Sequence, residues 1–181
     1  MLSMTFVPSG LNAADRFSRQ LSRSDAMLSR GCWKIVDTVF GGPSGHNLDL
    51  MALDSNVQRD RNGDPLRHFS PCETPQSAGV NVFNQNLAIC DGNLINAYAF
   101  PPFNLIGPLL RFLWFQRAVV TVVVPRLSPL PAWWPVINAM SKRNVLLAER
   151  GSSEAVLFPT RHGFQPDKIH FDLWAFRVGE A

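Results

Sequence analysis

No stretch of this 181-residue chain reaches the roughly 20 consecutive apolar residues that a membrane span needs. The most apolar parts, LIGPLLRFLWF and AVVTVVVP, are broken or flanked by Pro108, Arg111, Gln116 and Arg117, so they read as core elements and no membrane partner is expected. The opening residues MLSMTFVPSG hold no basic segment leading into a long apolar one, and no signal peptide is expected. The three cysteines, Cys32, Cys72 and Cys90, are far apart, without CxxC or CxxH spacing. That argues against a disulfide framework and a zinc site, and for a reducing intracellular setting, nuclear or cytoplasmic. His46, His68, His162 and His170 have no ligand spacing, so no metal is expected. P-loop, GxGxxG and GxSxG patterns are missing, as is a glycine-rich loop for a methyl-donor cofactor. There is no internal repeat and no low-complexity tract. The formal charge of +3 is too small to argue for nucleic acid by itself.

What is present is an apolar fraction of 46%, enough for one domain with a real core. Residues 1–24 are polar, serine- and arginine-rich, and read as a linker or the tail of another domain. Ser29 is placed to N-cap a helix over 30–40 with Trp33, Val36 and Phe40 on one face, stopped by Gly41-Gly42-Pro43. HNLDLMAL (46–53) alternates like a strand. Residues 54–94 are rich in loop formers, and a long excursion is expected there with one short strand near 79–83. Ala97–Phe100 reads as a buried strand. Asn104–Gln116 reads as a helix with Asn104 as N-cap. The β-branched run 118–125 reads as a central parallel strand ended by Pro125. Trp133–Arg143 reads as a short helix, and 154–159 and 169–178 as strands. Helices alternating with strands predict an α/β domain with a mostly parallel sheet and flanking helices over residues 25–181.

In such a sheet, ligands sit at the carboxyl ends of strands. Three segments fall there: Asp49-Leu-Met-Ala-Leu-Asp54-Ser-Asn56, Phe100-Pro101-Pro102-Phe103, and Val123-Val-Pro-Arg126 running on to Trp133-Trp134. In this order they resemble adenine-specific DNA methyltransferase-like domains of the phage Dam type. Those carry a D-x-x-A-x-x-x-N segment, then Asn/Asp-Pro-Pro-Tyr/Phe, a helix, and an apolar strand ending in proline. Upstream, Val7-Pro8-Ser-Gly-Leu-Asn12-Ala-Ala14-Asp15-Arg-Phe-Ser18-Arg19 resembles the last motif of a retroelement ribonuclease H. A ribonuclease H tail followed by a methyltransferase-like domain is the arrangement of DIRS-like, tyrosine-recombinase retrotransposon polyproteins. The resemblance covers most of residues 6–137; little past 145 contributes.

The resemblance implies a Rossmann-like, methyltransferase-like sheet. It also implies roles for the matched positions. The first residue of the four-residue motif accepts a hydrogen bond from the adenine amine, and the last stacks on the flipped base. Here the first is Phe100, which accepts none, while Phe103 keeps a stacking ring. Asn96 and Asn104 lie nearby but out of register. Asp49 or Asp54 is the candidate to hold a ribose hydroxyl of S-adenosylmethionine. Phe103, Trp133, Trp134 and Arg126 are candidates to touch DNA or RNA. Asp15 matches the last ribonuclease H carboxylate, which alone cannot hold that chemistry's two metal ions. The missing acceptor favours a degenerate, non-catalytic domain with no cofactor, working beside other polyprotein domains as a binding or structural module. The alternatives are an active S-adenosylmethionine-dependent DNA adenine methyltransferase and a ligand-free interaction domain.

Overall fold

The computed structural model describes residues 23–87 and 95–180. Asp15, Cys90 and the tail over 1–22 lie outside the described residues. Ten strands and three long helices follow in the order β1 (Met27–Leu28), α1 (Arg30–Phe40), β2 (Leu48–Asp49), β3 (Arg67–Ser70), β4 (Gly79–Val80), β5 (Ala97–Ala99), α2 (Ile106–Gln116), β6 (Val120–Arg126), α3 (Trp133–Met140), β7 (Ser141–Ala148), β8 (Val156–Thr160), β9 (Gly163–Pro166) and β10 (Asp172–Val178).

The helices form where the sequence signals them. The Ser29 hydroxyl accepts the Cys32 N–H at 3.3 Å, which caps α1. Cys32, Trp33, Val36 and Phe40 bury one face of that helix. At Gly41 a Cβ would collide with the Asp37 carbonyl that accepts the Gly41 N–H, so the chain turns there only as glycine. In α2 the buried residues are Ile106, Leu109, Leu110 and Leu113, one stripe at helical spacing. Asn104 does not cap it. A 3₁₀ turn over Phe103–Leu105 leads in, and Leu105 occupies the cap position without a side-chain bond.

Seven strands make one sheet in the order β4-β3-β2-β5-β6-β10-β7. The pairs β4/β3, β3/β2, β2/β5 and β5/β6 are parallel. β10 runs antiparallel to both β6 and β7. Six strands therefore point one way, and the expected mixed α/β domain with a mostly parallel sheet is what forms. The α1 face packs with Tyr98, Val123, Leu173 and Ala175. The opposite face packs α2 and α3 on Leu48, Val120, Val122, Val124 and Phe176. β6 is buried on both faces through Pro125.

Several expected boundaries shift. Pro125 does not end β6, which continues to Arg126. β5 stops opposite Val122, so beyond it β6 has a neighbour on one side only, where a residue without an N–H is tolerated. The helix expected over Trp133–Arg143 ends at Met140, and Ser141 already begins β7. Within the expected long loop, β3 forms as well as β4. Residues beyond 145 are integral: β10 sits between β6 and β7, and β8 and β9 join β1 in a separate three-stranded antiparallel sheet. Among the described residues no helix is long and apolar enough to cross a membrane.

Candidate functional site: an aromatic turn between two cavities

The chain leaves β5 at Ala99 and enters Phe100-Pro101-Pro102-Phe103 at the carboxyl edge of the sheet. Pro101 is buried, Phe100 and Pro102 are half-buried, and Phe103 is 39% exposed. The prolines fix the backbone, and the Pro102 carbonyl accepts the Leu105 N–H at 2.9 Å. The turn is thus rigid before any ligand arrives.

A cavity opens on each side of it. The first, about 290 Å³, lies over the carboxyl ends of β2 and β3 and is walled by Leu50, Met51, Phe69, Phe83, Phe100 and Pro102. Three of its polar neighbours are committed to backbone groups of the chain. Asn56 accepts the Leu53 N–H at 2.7 Å and donates to the Asp25 carbonyl at 2.9 Å. Ser70 donates to the Cys72 carbonyl, and Asn81 accepts the Phe83 N–H at 3.1 Å.

The second cavity, about 440 Å³, lies between the turn and the small sheet; its walls include Phe100, Phe103, Phe158, Lys168, His170 and Phe171. Phe103 meets Phe171 edge to face at 5.3 Å between ring centres. The Arg23 guanidinium lies 4.2 Å over the Phe158 ring and pairs with Asp167 at 3.1 Å. Lys168 and His170 are exposed, and neither side chain makes a hydrogen bond among the described residues. Asn104 stands on the exposed rim of the same cavity.

The two candidate carboxylates stand apart from both cavities. Asp49 is 3% exposed and its carboxylate accepts the Met51 N–H at 3.2 Å. Burial pushes its pKa up to about 7, against the pull of that hydrogen bond and of His68. Asp54 accepts from Thr74 at 2.7 Å, shares a bond with His68 Nε2 at 2.8 Å and accepts the Gln76 N–H at 3.2 Å. Burial raises the Asp54 carboxyl, but those partners together hold it below the usual range. Trp133, Trp134 and Arg126 form a third group at the end of β6. Trp134 packs edge-on to Phe176 at 5.5 Å, and Arg126 stands 5.9 Å from the Trp134 ring. Asn96 is at the opposite edge, its amide donating to the carbonyls of Phe40, Gly41 and Gly45.

His46 is the other chemically suggestive residue. Nδ1 lies 2.9 Å from Asp37, Nε2 lies 3.0 Å from the Thr121 hydroxyl, and Arg177 donates to that hydroxyl at 2.9 Å. The residue types are those of a nucleophile–base–carboxylate relay. Thr121 is fully buried and lines neither cavity, so this is a structural chain tying α1 to β6 and β10. Burial lowers the His46 pKa, against the Asp37 carboxylate that raises it. Among the described residues no three His, Cys, Asp or Glu side chains gather as a metal site.

Sequence reasoning thus found the turn but missed the far wall of the second cavity. Phe158, Lys168, His170 and Phe171 belong to no motif. The one signal for the last three is the alternation in Lys168-Ile169-His170-Phe171, which buries Ile169 and leaves its neighbours toward solvent. Comparison with known proteins places no relative beside this arrangement: no family model, no curated protein and no solved structure matches the chain.

Proposed function

We propose that this is a degenerate methyltransferase-like domain of the DIRS-like retroelement kind, which binds single-stranded nucleic acid and transfers no methyl group. One observation carries the reading. The rigid turn at the carboxyl end of β5 offers an exposed stacking ring, Phe103, to a cavity of base-accommodating size rimmed by cations, while Phe100 stands where an acceptor would be needed.

The sheet supports a Rossmann-like origin. Read from β4 to β6, the strands run third, second, first, fourth, fifth among the parallel strands, as in doubly wound sheets. The strand order reverses between β2 and β5, and the turn leaves β5 at that edge. S-adenosylmethionine would supply the methyl group in an active relative. The residues here do not fit it: Asp49 and Asp54 face neither cavity, and the polar groups around the first cavity already have partners. Losing a positioned hydrogen-bond partner at a reacting group costs about 10²–10³-fold in rate. The partners that remain are a DNA or RNA strand and the other domains of the polyprotein.

Calorimetry on the purified chain tests this, first with S-adenosylmethionine and then with a short adenine-containing single strand. The expected result is no heat from the cofactor and saturable, salt-sensitive binding of the strand. Cofactor binding with methyl transfer to adenine would establish a live enzyme instead. A folded sample that binds neither would be a ligand-free interaction domain.

A further inference from the structure

A second surface lies directly behind the aromatic cavity. β8 separates the two: Val156 and Phe158 face the cavity, while Leu157 between them lines a groove on the other side. This groove, about 880 Å³, runs between α1 and the turn over 57–63. Four cationic side chains line it, Arg30 and Lys34 from α1 and Arg59 and Arg61 from the turn, against two carboxylates, Asp37 and Asp60.

Both carboxylates are committed internally. Asp37 is held by Arg61 at 2.8 Å and by His46 at 2.9 Å. Burial raises its carboxyl, and these partners overcome that and keep it ionised. Asp60 accepts the N–H groups of Asn62 and Asp64 at 2.8 and 3.0 Å, which shapes the turn. Of the cations, Arg61 is fully engaged, on the Asp37 carboxylate and on the carbonyls of Asp37, Gly42 and Pro43; the other three are less committed. Arg30 and Lys34 are exposed and form no ion pair or side-chain hydrogen bond among the described residues. Arg59 uses one nitrogen on the Gly63 carbonyl at 2.8 Å and keeps its other donors. The floor is fixed, because the Trp33 indole N–H donates to the Arg59 carbonyl at 2.9 Å. Arg30 and Lys34 are one helical turn apart, about 6 Å along the axis, a spacing that neighbouring phosphates of an extended strand can match.

We propose that this groove carries the phosphodiester backbone of a single-stranded nucleic acid, another nucleotide of which occupies the aromatic cavity on the opposite face of the β1–β8 wall. The assignment rests on the nucleic-acid reading of that cavity. Backbone contacts give affinity and salt dependence, and the aromatic cavity adds stacking, so the two parts are separable by experiment.

The test is oligonucleotide affinity across a salt series for the full chain and three variants, with circular dichroism to show that each is folded. In Arg30→Gln/Lys34→Gln the slope of log K against log salt should flatten by about 1.4, at roughly 0.7 per lost phosphate contact, and low-salt affinity should fall about tenfold. Phe103→Ala should lose affinity with the slope unchanged. Lys142→Gln, an exposed cation on β7 away from the groove, should alter neither. An unchanged slope in the double variant, or an equal change in Lys142→Gln, overturns the groove. A flattened slope with Phe103→Ala silent keeps the groove and overturns the cavity reading. Sodium tripolyphosphate that saturates the groove as tightly as the oligonucleotide would overturn the strand in favour of a small polyphosphate.

Discussion

The two cavities that share Phe100 and Pro102 differ in what surrounds them more than in size. Around the first, Asn56, Ser70 and Asn81 each close a bond within their own loop. Around the second, Lys168 and His170 have made no such commitment, and Phe103 shows part of its ring to solvent. A cavity whose polar groups are satisfied from within is part of the architecture. One whose polar side chains still have unused hydrogen-bonding capacity is available to a ligand. The comparison predicts that substitutions around the first cavity change stability, and substitutions around the second change binding.

The largest effect at a residue lining the first cavity is expected at Asn56. Asn56→Ala removes two hydrogen bonds and leaves the Leu53 N–H without its acceptor, a loss of about 3 kcal/mol. Thermal unfolding should move down accordingly, while the folded fraction binds an oligonucleotide as before. A loss of affinity in folded protein would break the distinction.

Next comes Asp49, beneath the same loops. Its folded pKa of about 7 lies above the unfolded carboxylate value of about 3.9. The folded state therefore binds the extra proton between those values, and this group's contribution to stability falls as pH rises from about 4 to 7, then levels off. Asp49→Asn keeps an oxygen for the Met51 N–H and removes the titration. It should be more stable than the parent by up to about 4 kcal/mol at pH 8, at roughly 1.36 kcal/mol per pH unit between the two pKa values, and equal to it near pH 4. Denaturant melts at both pH values check this; equal differences at the two would refute it. His46 works in the opposite direction, since its lowered pKa makes the folded state gain stability as pH rises toward about 6.5 and level off above it. The difference between parent and variant isolates Asp49.

The smallest effect is at Phe103. Its ring is partly exposed, so Phe103→Ala should leave unfolding within about 1 kcal/mol of the parent. Stacking on one base is worth about 1–3 kcal/mol, so single-strand affinity should fall roughly tenfold. Fluorescence anisotropy with a labelled oligonucleotide reads that directly, and unchanged affinity would make the second cavity as architectural as the first.

Much of the frame was legible in the residues. Ser29, the Trp33-Val36-Phe40 stripe and Gly41 define α1 before any coordinates are known. The β-branched run into Val124 defines β6, and Phe100-Pro101-Pro102-Phe103 marks a strand end. The parts that were not legible depend on distant partners. β7 shows no clean alternation, because it is an edge strand held by β10 alone through two register shifts. β3 is four residues inside a loop-like composition, and contacts such as His68 with Asp54 anchor it. The site was half legible for the same reason. The motif side is local, but the wall opposite is assembled by pairing Met27 with Leu157 and Leu28 with Val156, which no local pattern announces.

That pairing has a consequence for the order in which the protein is built. β1 is among the first described elements to leave a ribosome, and β8 among the last. Closing so long a loop is entropically slow relative to forming α1, α2 or the neighbouring strands. A growing chain thus holds its proline turn and the Phe103 ring long before it owns a cavity to put them in. Any recognition at that cavity belongs to the finished molecule.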